Sequence, residues 1–237
     1  MHLRRGLSPL LFIVMIIHLS PRLQAVAELV DQDARVIDVG TDHAMIPVWL
    51  VQTGRAVHVL ATDIRSGPLE NAAALVARTG AVESIRLLQT DGLTDIGPEN
   101  GDTVIIAGMG GETIISILSA APWTKENVRL ILSPQSKKED LRRYLTENGY
   151  CIHREQLVKD AGRVYPILCA RGGTAPKYTR AELNLGLLSQ IGSDPLFAEY
   201  LDIMRGQTAK AAPYDDGART LLTEYDEIKR RLTTCRP

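Results

Sequence analysis

The chain has 237 residues, a formal net charge of −1 and an apolar fraction of 45%. That is enough apolar material for one α/β domain with an appendage, and a charge so close to zero excludes any argument from composition for nucleic-acid binding. The cysteines, Cys151, Cys169 and Cys235, are odd in number and dispersed, which excludes a disulfide framework or a zinc site and suits reduced thiols in a cytosolic protein.

At the N-terminus, Arg4-Arg5 precede the apolar run Leu10 to Ile17, in the manner of the n- and h-regions of a signal peptide. The run is too short to span a bilayer. A small-x-small cleavage site is missing, because Leu23 and Ala25 flank Gln24. A second reading starts the chain at Met15, with Ser20 capping a helix, Pro21 in its first turn, and residues 23–30 apolar at helical spacing. We prefer that reading: residues before Met15 are upstream sequence read through, the sheet domain is expected to begin after a non-native or upstream extension over 1–19, and the protein is cytoplasmic without stable membrane association.

The stretch Arg35-Val-Ile-Asp-Val-Gly40-Thr-Asp-His43 reads as a buried strand followed by a tight turn. Gly40 permits that turn beside a ligand, where a Cβ would intrude. A helix follows from Met45 to Val51, with Pro47 tolerable only in its first turn. The run 57–62 is a second strand ending at Asp63, and 85–88 a third leading to Asp91-Gly92. Three strands thus deliver acids at their ends, Asp38 or Asp42, Asp63 and Asp91. Each alone suits a turn or cap; together they suggest a nucleoside pocket, with Asp63 accepting from two ribose hydroxyls.

Residues 66–79 read as a helix with Leu69, Ala72, Ala73 and Val76 inward, closed by Gly80. A fourth strand, 103–107, runs into Gly108-Met-Gly-Gly111 and a helix over 112–120. A fifth, 128–132, leads through Pro134-Gln135 to a helix over 138–148. Strands over 150–158 and 164–170 are joined so briefly that they must be antiparallel. Residues 172–177 form a linker, and helices over 180–191, 195–210 and 218–232 form a hairpin packed on the sheet domain. The pattern predicts an α/β doubly wound sheet with a reversed terminal strand. It resembles class I S-adenosylmethionine-dependent methyltransferases more than nicotinamide dehydrogenases.

More specifically, the chain resembles the TrmK-type tRNA (adenine(22)-N1)-methyltransferases from about Leu19 onward. The resemblance is carried by Leu19-Ser-Pro-Arg-Leu-Gln-Ala-Val-Ala27, Asp38-Val-Gly-Thr-Asp-His43 with Pro47, Ala61-Thr-Asp63 followed by Gly67-Pro68 and Asn71-Ala72, Asp91-Gly-Leu93, Ile106-Ala-Gly-Met-Gly-Gly111, Leu132-Ser-Pro-Gln135, Glu182-Leu-Asn-Leu-Gly186 and Pro195-Leu-Phe197. It implies a Rossmann-like S-adenosyl-L-methionine-binding domain over 20–173 and a C-terminal α-helical, coiled-coil-like domain over 178–237 that contacts tRNA. It implies methylation of N1 of adenine 22 in tRNA. The cofactor would meet Asp38, Gly40, Asp63, Ile64, Asp91, Gly92, Ala107 and Gly108. Asp42 and His43 would serve catalysis, and Met109, Gly110, Gly111, Pro134 and Gln135 the substrate. No metal is implied.

Other readings of the same residues stay open. The glycines at 108, 110 and 111 either let a ligand approach the backbone or form a turn. Lys137, Lys138, Arg142 and Arg143 either bind phosphate or form a solvated helix face. His43 is either functional or a helix-cap neighbour, while His58, His153, Tyr144 and Tyr150 read as structural. Two rival functions are a nicotinamide-dependent dehydrogenase, which Asp63 alone would suit but which lacks Gly-x-Gly-x-x-Gly, and a non-catalytic nucleotide-binding adaptor, which a blocked pocket would favour. Oligomeric state is not legible.

Overall fold

The computed structural model describes residues 16–234. The basic pair and most of the apolar run near the N-terminus, Met15 and Cys235 lie outside the described residues. Packing on the domain already begins at Ile17. Its side chain is buried in the core and its N–H donates to Gln52 Oε1 at 3.1 Å, so the boundary expected at residue 19 moves back. Among the described residues no helix is long and apolar enough to cross a membrane.

Seven strands form one sheet: β1 (Ala34–Val39), β2 (Ala56–Asp63), β3 (Ile85–Gln89), β4 (Thr103–Ala107), β5 (Arg129–Ser133), β6 (Tyr150–Asp160) and β7 (Arg163–Gly172). Their spatial order is β3-β2-β1-β4-β5-β7-β6. All neighbours are parallel except β7, which runs against both β5 and β6. The reversed strand is thus last in sequence but second from the edge. A hairpin enters the sheet through its second arm, an arrangement that hydrophobic pattern alone does not reveal.

Alternation along the central strands divides the core. Val36, Val59, Ala61, Ile105 and Ile131 face α1 (Pro21–Ala27), α2 (Met45–Gln52) and α3 (Ser66–Thr79). Ile37, Val39, Leu60, Ile106 and Leu132 face α4 (Gly111–Ala120) and α5 (Lys138–Glu147). Burial on both faces explains why these strands read as unbroken apolar runs. On α3 the inward residues are Ala72, Leu75 and Val76, while Ala73 is exposed. The apolar stripe is shifted because Leu75 carries more surface to bury than Ala73.

The hairpin of β6 and β7 turns on Ala161 (φ +47°) and Gly162 (φ +74°), the two left-handed residues that a type I′ turn needs. β5 pairs only with residues 168–170 of β7. The rest of the hairpin therefore runs on past the carboxyl end of β5. A bulge at His153 adds one residue to β6, since Ile152 faces Ala170 while Arg154 faces Cys169. Beyond it, Val158, Asp160 and Tyr165 lie on one face with α1, and Glu155, Leu157 and Val164 on the other.

The second face carries α6 (Arg180–Leu185), α7 (Leu188–Ile191), α8 (Phe197–Ala211) and α9 (Asp216–Thr234). Leu157 and Val164 share one cluster with Leu185, Phe197, Tyr200 and Tyr225. The tail is therefore fused to the sheet through the hairpin. The single helix expected over 180–191 breaks at Gly186 (φ +105°), where a Cβ would lie 2.7 Å from Glu155 Oε2. Arg142 is fully buried and donates to Glu155 (3.1 and 2.8 Å) and to the carbonyls of Leu183 and Asn184 (3.1 and 2.9 Å). It binds no phosphate. Arg143 pairs with Glu139, Lys137 reaches Glu112 and Asp140, and Lys138 lies over the Tyr200 ring.

Glu155→Ala leaves the Arg142 guanidinium uncompensated in the core, so urea unfolding should show a loss of about 3–5 kcal/mol. Arg143→Ala removes only an exposed pair and should shift stability by about 0.5 kcal/mol or less.

Candidate functional site

The chain reverses direction across the sheet between β1 and β4, and ligands of open α/β sheets bind beyond the strand ends at such a point. A cleft of about 560 Å³ lies there. It is lined by Asp38, Gly40, Asp42, His43, Asp63, Ile64, Asp91, Gly92, Ala107, Gly108, Met109 and Gln135. A larger hollow of about 790 Å³ lies at the opposite ends of the strands, among Asp31, Arg129 and Arg171, and contains none of the predicted site residues.

The turn after β1 is built under constraint. The N–H groups of Gly40 and Thr41 both donate to the Thr62 carbonyl at 2.8 Å, tying this turn to β2. Gly40 (φ +74°), Asp42 (φ +52°) and Ala44 (φ +54°) are all left-handed. Only the glycine adopts that conformation without steric cost. A Cβ on Gly40 would also lie 2.3 Å from the Met109 methyl. The close approach here is that of the Met109 side chain at the cleft wall.

Asp38 sits inside β1, 4% exposed, and accepts from Thr41 Oγ1 at 2.6 Å. Burial pushes its carboxyl up to about 6; the Thr41 bond opposes this and the Asp63 charge adds to it. Asp63 is also buried, and its Oδ1 accepts from the Arg65 N–H at 2.9 Å. Its Oδ2 takes no hydrogen bond among the described residues, leaving one carboxylate oxygen for a ligand. Ile64 stands at the rim 58% exposed, an apolar side chain that a flat ring could cover. Asp91 is exposed, while Gly92 (φ +59°) turns the chain where a Cβ would lie 2.8 Å from Ile117. Asp42 and His43 project into solvent at the mouth, with His43 Nε2 3.7 Å from Asp42 Oδ2. No backbone hydrogen bond holds the His43 ring among the described residues.

Gly110, Gly111 and Pro134 do not line the cleft. A Cβ on Gly111 would lie 2.3 Å from the Lys137 carbonyl oxygen, and one on Gly110 3.1 Å from Ser136 Oγ. These glycines admit the loop after β5 rather than a ligand. Pro134 is buried beneath that loop, whose Gln135 N–H donates to the Met109 carbonyl at 2.9 Å. Only Gly108 (φ +88°), of the three, faces the cleft.

Sequence reasoning missed Arg22, Thr113 and Ile117, which also line the cleft. Thr113 and Ile117 follow from the helical repeat of α4 once its start at Gly111 is known. Arg22 had no signal in spacing, because α1 precedes the strand–turn–helix unit. Its Nη1 is buried and without a hydrogen-bond partner.

The pocket has the parts an adenosyl cofactor with an amino-acid end requires: a glycine turn, a free carboxylate oxygen at a strand end, an apolar rim and charged groups beyond. The insertion of β7 between β5 and β6 departs from the β4-β5-β6 run of a dinucleotide-binding sheet. The cleft is open, unlike the blocked pocket that an adaptor reading favours.

Comparison with known proteins agrees. A family model described as a methyltransferase domain matches residues 19–168. A tRNA (adenine(22)-N(1))-methyltransferase of Bacillus subtilis is 35% identical over 174 residues, 72% of each chain. A Streptococcus pneumoniae relative solved in complex with S-adenosyl-L-methionine is 31% identical, with a TM-score of 0.82 over 91% of this chain and all of that one. The B. subtilis M1A22 tRNA methyltransferase TrmK is 27% identical, with a TM-score of 0.76 over 92% of this chain and 98% of that one. The strand order, the acid-bearing strand ends and these similarities lead to one conclusion: the chain belongs to the methyltransferase-domain family and, within it, to the TrmK-type tRNA (adenine(22)-N1)-methyltransferases.

Proposed function

We propose that this protein methylates N1 of adenine 22 in tRNA, using S-adenosyl-L-methionine, and that it works in the cytoplasm. The observation that carries the reading is the convergence of Asp38, Asp63 and Asp91 on one cleft beside the Gly40 turn. The direct test is incubation with bulk tRNA lacking the modification, followed by nucleoside analysis. N1-methyladenosine should appear at position 22, and its absence refutes the reading.

S-adenosyl-L-methionine supplies an electrophilic methyl group on a sulfonium. Adenine N1 carries a lone pair and needs no base to remove a proton first, so the protein's task is alignment and charge. Asp63 holds the ribose through its free oxygen, and Ile64 covers the adenine of the cofactor. Asp38 faces the amino-acid end. Met109 and Gln135 form the wall against which the target adenine, drawn out of its RNA stack, is held. Asp42 accepts from its exocyclic amino group and offsets the positive charge that grows on the ring, with His43 beside it. The helical tail, fused behind the hairpin, meets the body of the tRNA.

Asp63→Ala should weaken S-adenosylhomocysteine binding about tenfold or more in a calorimetric titration, while the thermal transition stays in place. Asp42→Asn should lower turnover about a hundredfold while leaving that affinity intact, because a preorganised charge is lost without a change of shape.

Asp38 makes the cleft sensitive to pH. Burial holds its carboxyl at about 6 in the folded chain, above the ordinary aspartate value, so its contribution to stability is present at low pH and is lost as pH rises through about 6. Cofactor binding runs the other way: the ionised carboxylate attracts the cofactor's ammonium, and protonation removes that attraction. S-adenosylhomocysteine affinity should therefore fall as pH drops below about 6, and Asp38→Asn should flatten that dependence.

A further inference from the structure

The larger hollow, about 790 Å³ at the amino ends of the central strands, shares no residue with the cleft. Strand pairing decides what faces it. Ile131 on β5 and Arg154 on β6 both pair with Cys169 on β7, and Cys151 pairs with Arg171. Side chains repeat every second residue, so Arg129, Cys151, Arg154 and Arg171 share one face of the sheet. Arg154 belongs to that face only because the bulge at His153 shifts the register by one residue. Three adjacent strands thus each bring a guanidinium to one place. Arg129, His153 and Arg171 line the hollow itself.

The neighbouring groups leave this positive charge largely uncancelled. Arg129 has a carboxylate partner, since its Nη1 donates to Asp31, but its Nε is shut from water with no hydrogen-bond partner. Arg154 reaches the side-chain oxygen of Gln156 at 3.1 Å. Among the described residues no carboxylate lies within 4 Å of the Arg154 or Arg171 guanidinium. Of the other acids lining the hollow, Asp102 is turned to Arg35, whose N–H it accepts at 3.2 Å, and Asp33 is exposed to water. Lys125 borders the hollow with its ammonium over the Tyr150 ring, 5.5 Å from the centroid. His153 feels this field. Desolvation first, then Arg129 and Arg171, push its proton affinity down; a backbone hydrogen bond at Cys151 opposes them and Arg154 adds to them.

We propose that this hollow is a phosphate-binding site, in which Arg129 and Arg171 grip a phosphate group and the His153 ring N–H is a further donor. A tetrahedral dianion offers oxygens in the several directions from which these donors approach, whereas a planar carboxylate fills one guanidinium fork. Free phosphorylated compounds and an RNA backbone both carry such a group. The site is independent of the cofactor and of the reaction at the cleft.

The test is calorimetric titration of the full chain at pH 8 with pyrophosphate, with and without excess S-adenosylhomocysteine. The two affinities should be equal. Arg171→Gln changes an exposed side chain and should weaken pyrophosphate about tenfold with the thermal transition in place. Asp31→Asn releases Arg129 from its carboxylate and should tighten it. Filter binding of tRNA then separates the sources. A parallel loss of tRNA affinity in Arg171→Gln gives the phosphate to the RNA backbone, and unchanged tRNA affinity with weakened pyrophosphate gives it to a free phosphorylated compound. Absence of pyrophosphate binding together with unchanged tRNA affinity overturns the site. So does pyrophosphate affinity in Arg171→Gln equal to that of the wild type, or malonate bound as tightly as pyrophosphate. Competition by S-adenosylhomocysteine would put the pyrophosphate in the cleft and overturns it as well.

Discussion

The hairpin that outruns β5 is the constraint on which the rest of the molecule depends. A strand buried in a sheet has two faces, and beyond the end of its neighbour both must find new cover. One face of the projecting β6–β7 arm takes α1, through Asp160 and Tyr165. The other takes the helical tail, through Leu157 and Val164. The cleft rim and the tail are thus opposite sides of one ribbon two strands wide. Removing the tail would expose Leu157 and Val164 and strip Arg142 of its two carbonyl partners in α6. A separable sheet domain ending near residue 173 is therefore a poor physical description of this chain.

The second constraint is the turn from β1 to α2. Alternating left-handed residues at 40, 42 and 44 bring the chain from strand to helix while the Thr62 carbonyl gathers two N–H groups. Asp42 stands exposed at the cleft mouth within this turn. An ordinary turn would not require a non-glycine residue at φ +52° directly beside a polar pair at the cleft mouth. The buried Asp38 and the exposed Asp42, four residues apart, consequently experience opposite environments: one is desolvated against Asp63, the other open to water.

Much of this was legible in the sequence. The strands β1 to β5 and the acids at their ends follow from apolar runs punctuated by Gly and Asp, because parallel strands covered on both faces leave little freedom in pattern. The glycine cluster after β4 was legible as a cluster but not in its use. Whether a glycine admits a ligand or a neighbouring loop depends on what arrives from elsewhere in the chain, and Gly111 meets Lys137. Arg142 reads like its neighbours Lys138 and Arg143, yet it is the one turned inward, because Glu155 waits there on β6. Arg22 was hidden for the same reason: its partners, Asp160 and Tyr165, lie far along the chain, and no local spacing connects them.

The bulge at His153 decides which side of that ribbon does which task. Side chains alternate along a strand, so one extra residue exchanges the faces of everything beyond it. Ile152 before the bulge and Glu155 after it belong to the same side only because His153 is inserted between them. Without that residue, Glu155 would turn away from Arg142, and Asp160 would turn from α1 toward the helical tail. An exposed histidine that touches neither cleft nor core thus acts as a parity switch. Deletions in this arm are tolerable to the architecture in pairs, and a single one would exchange its two surfaces.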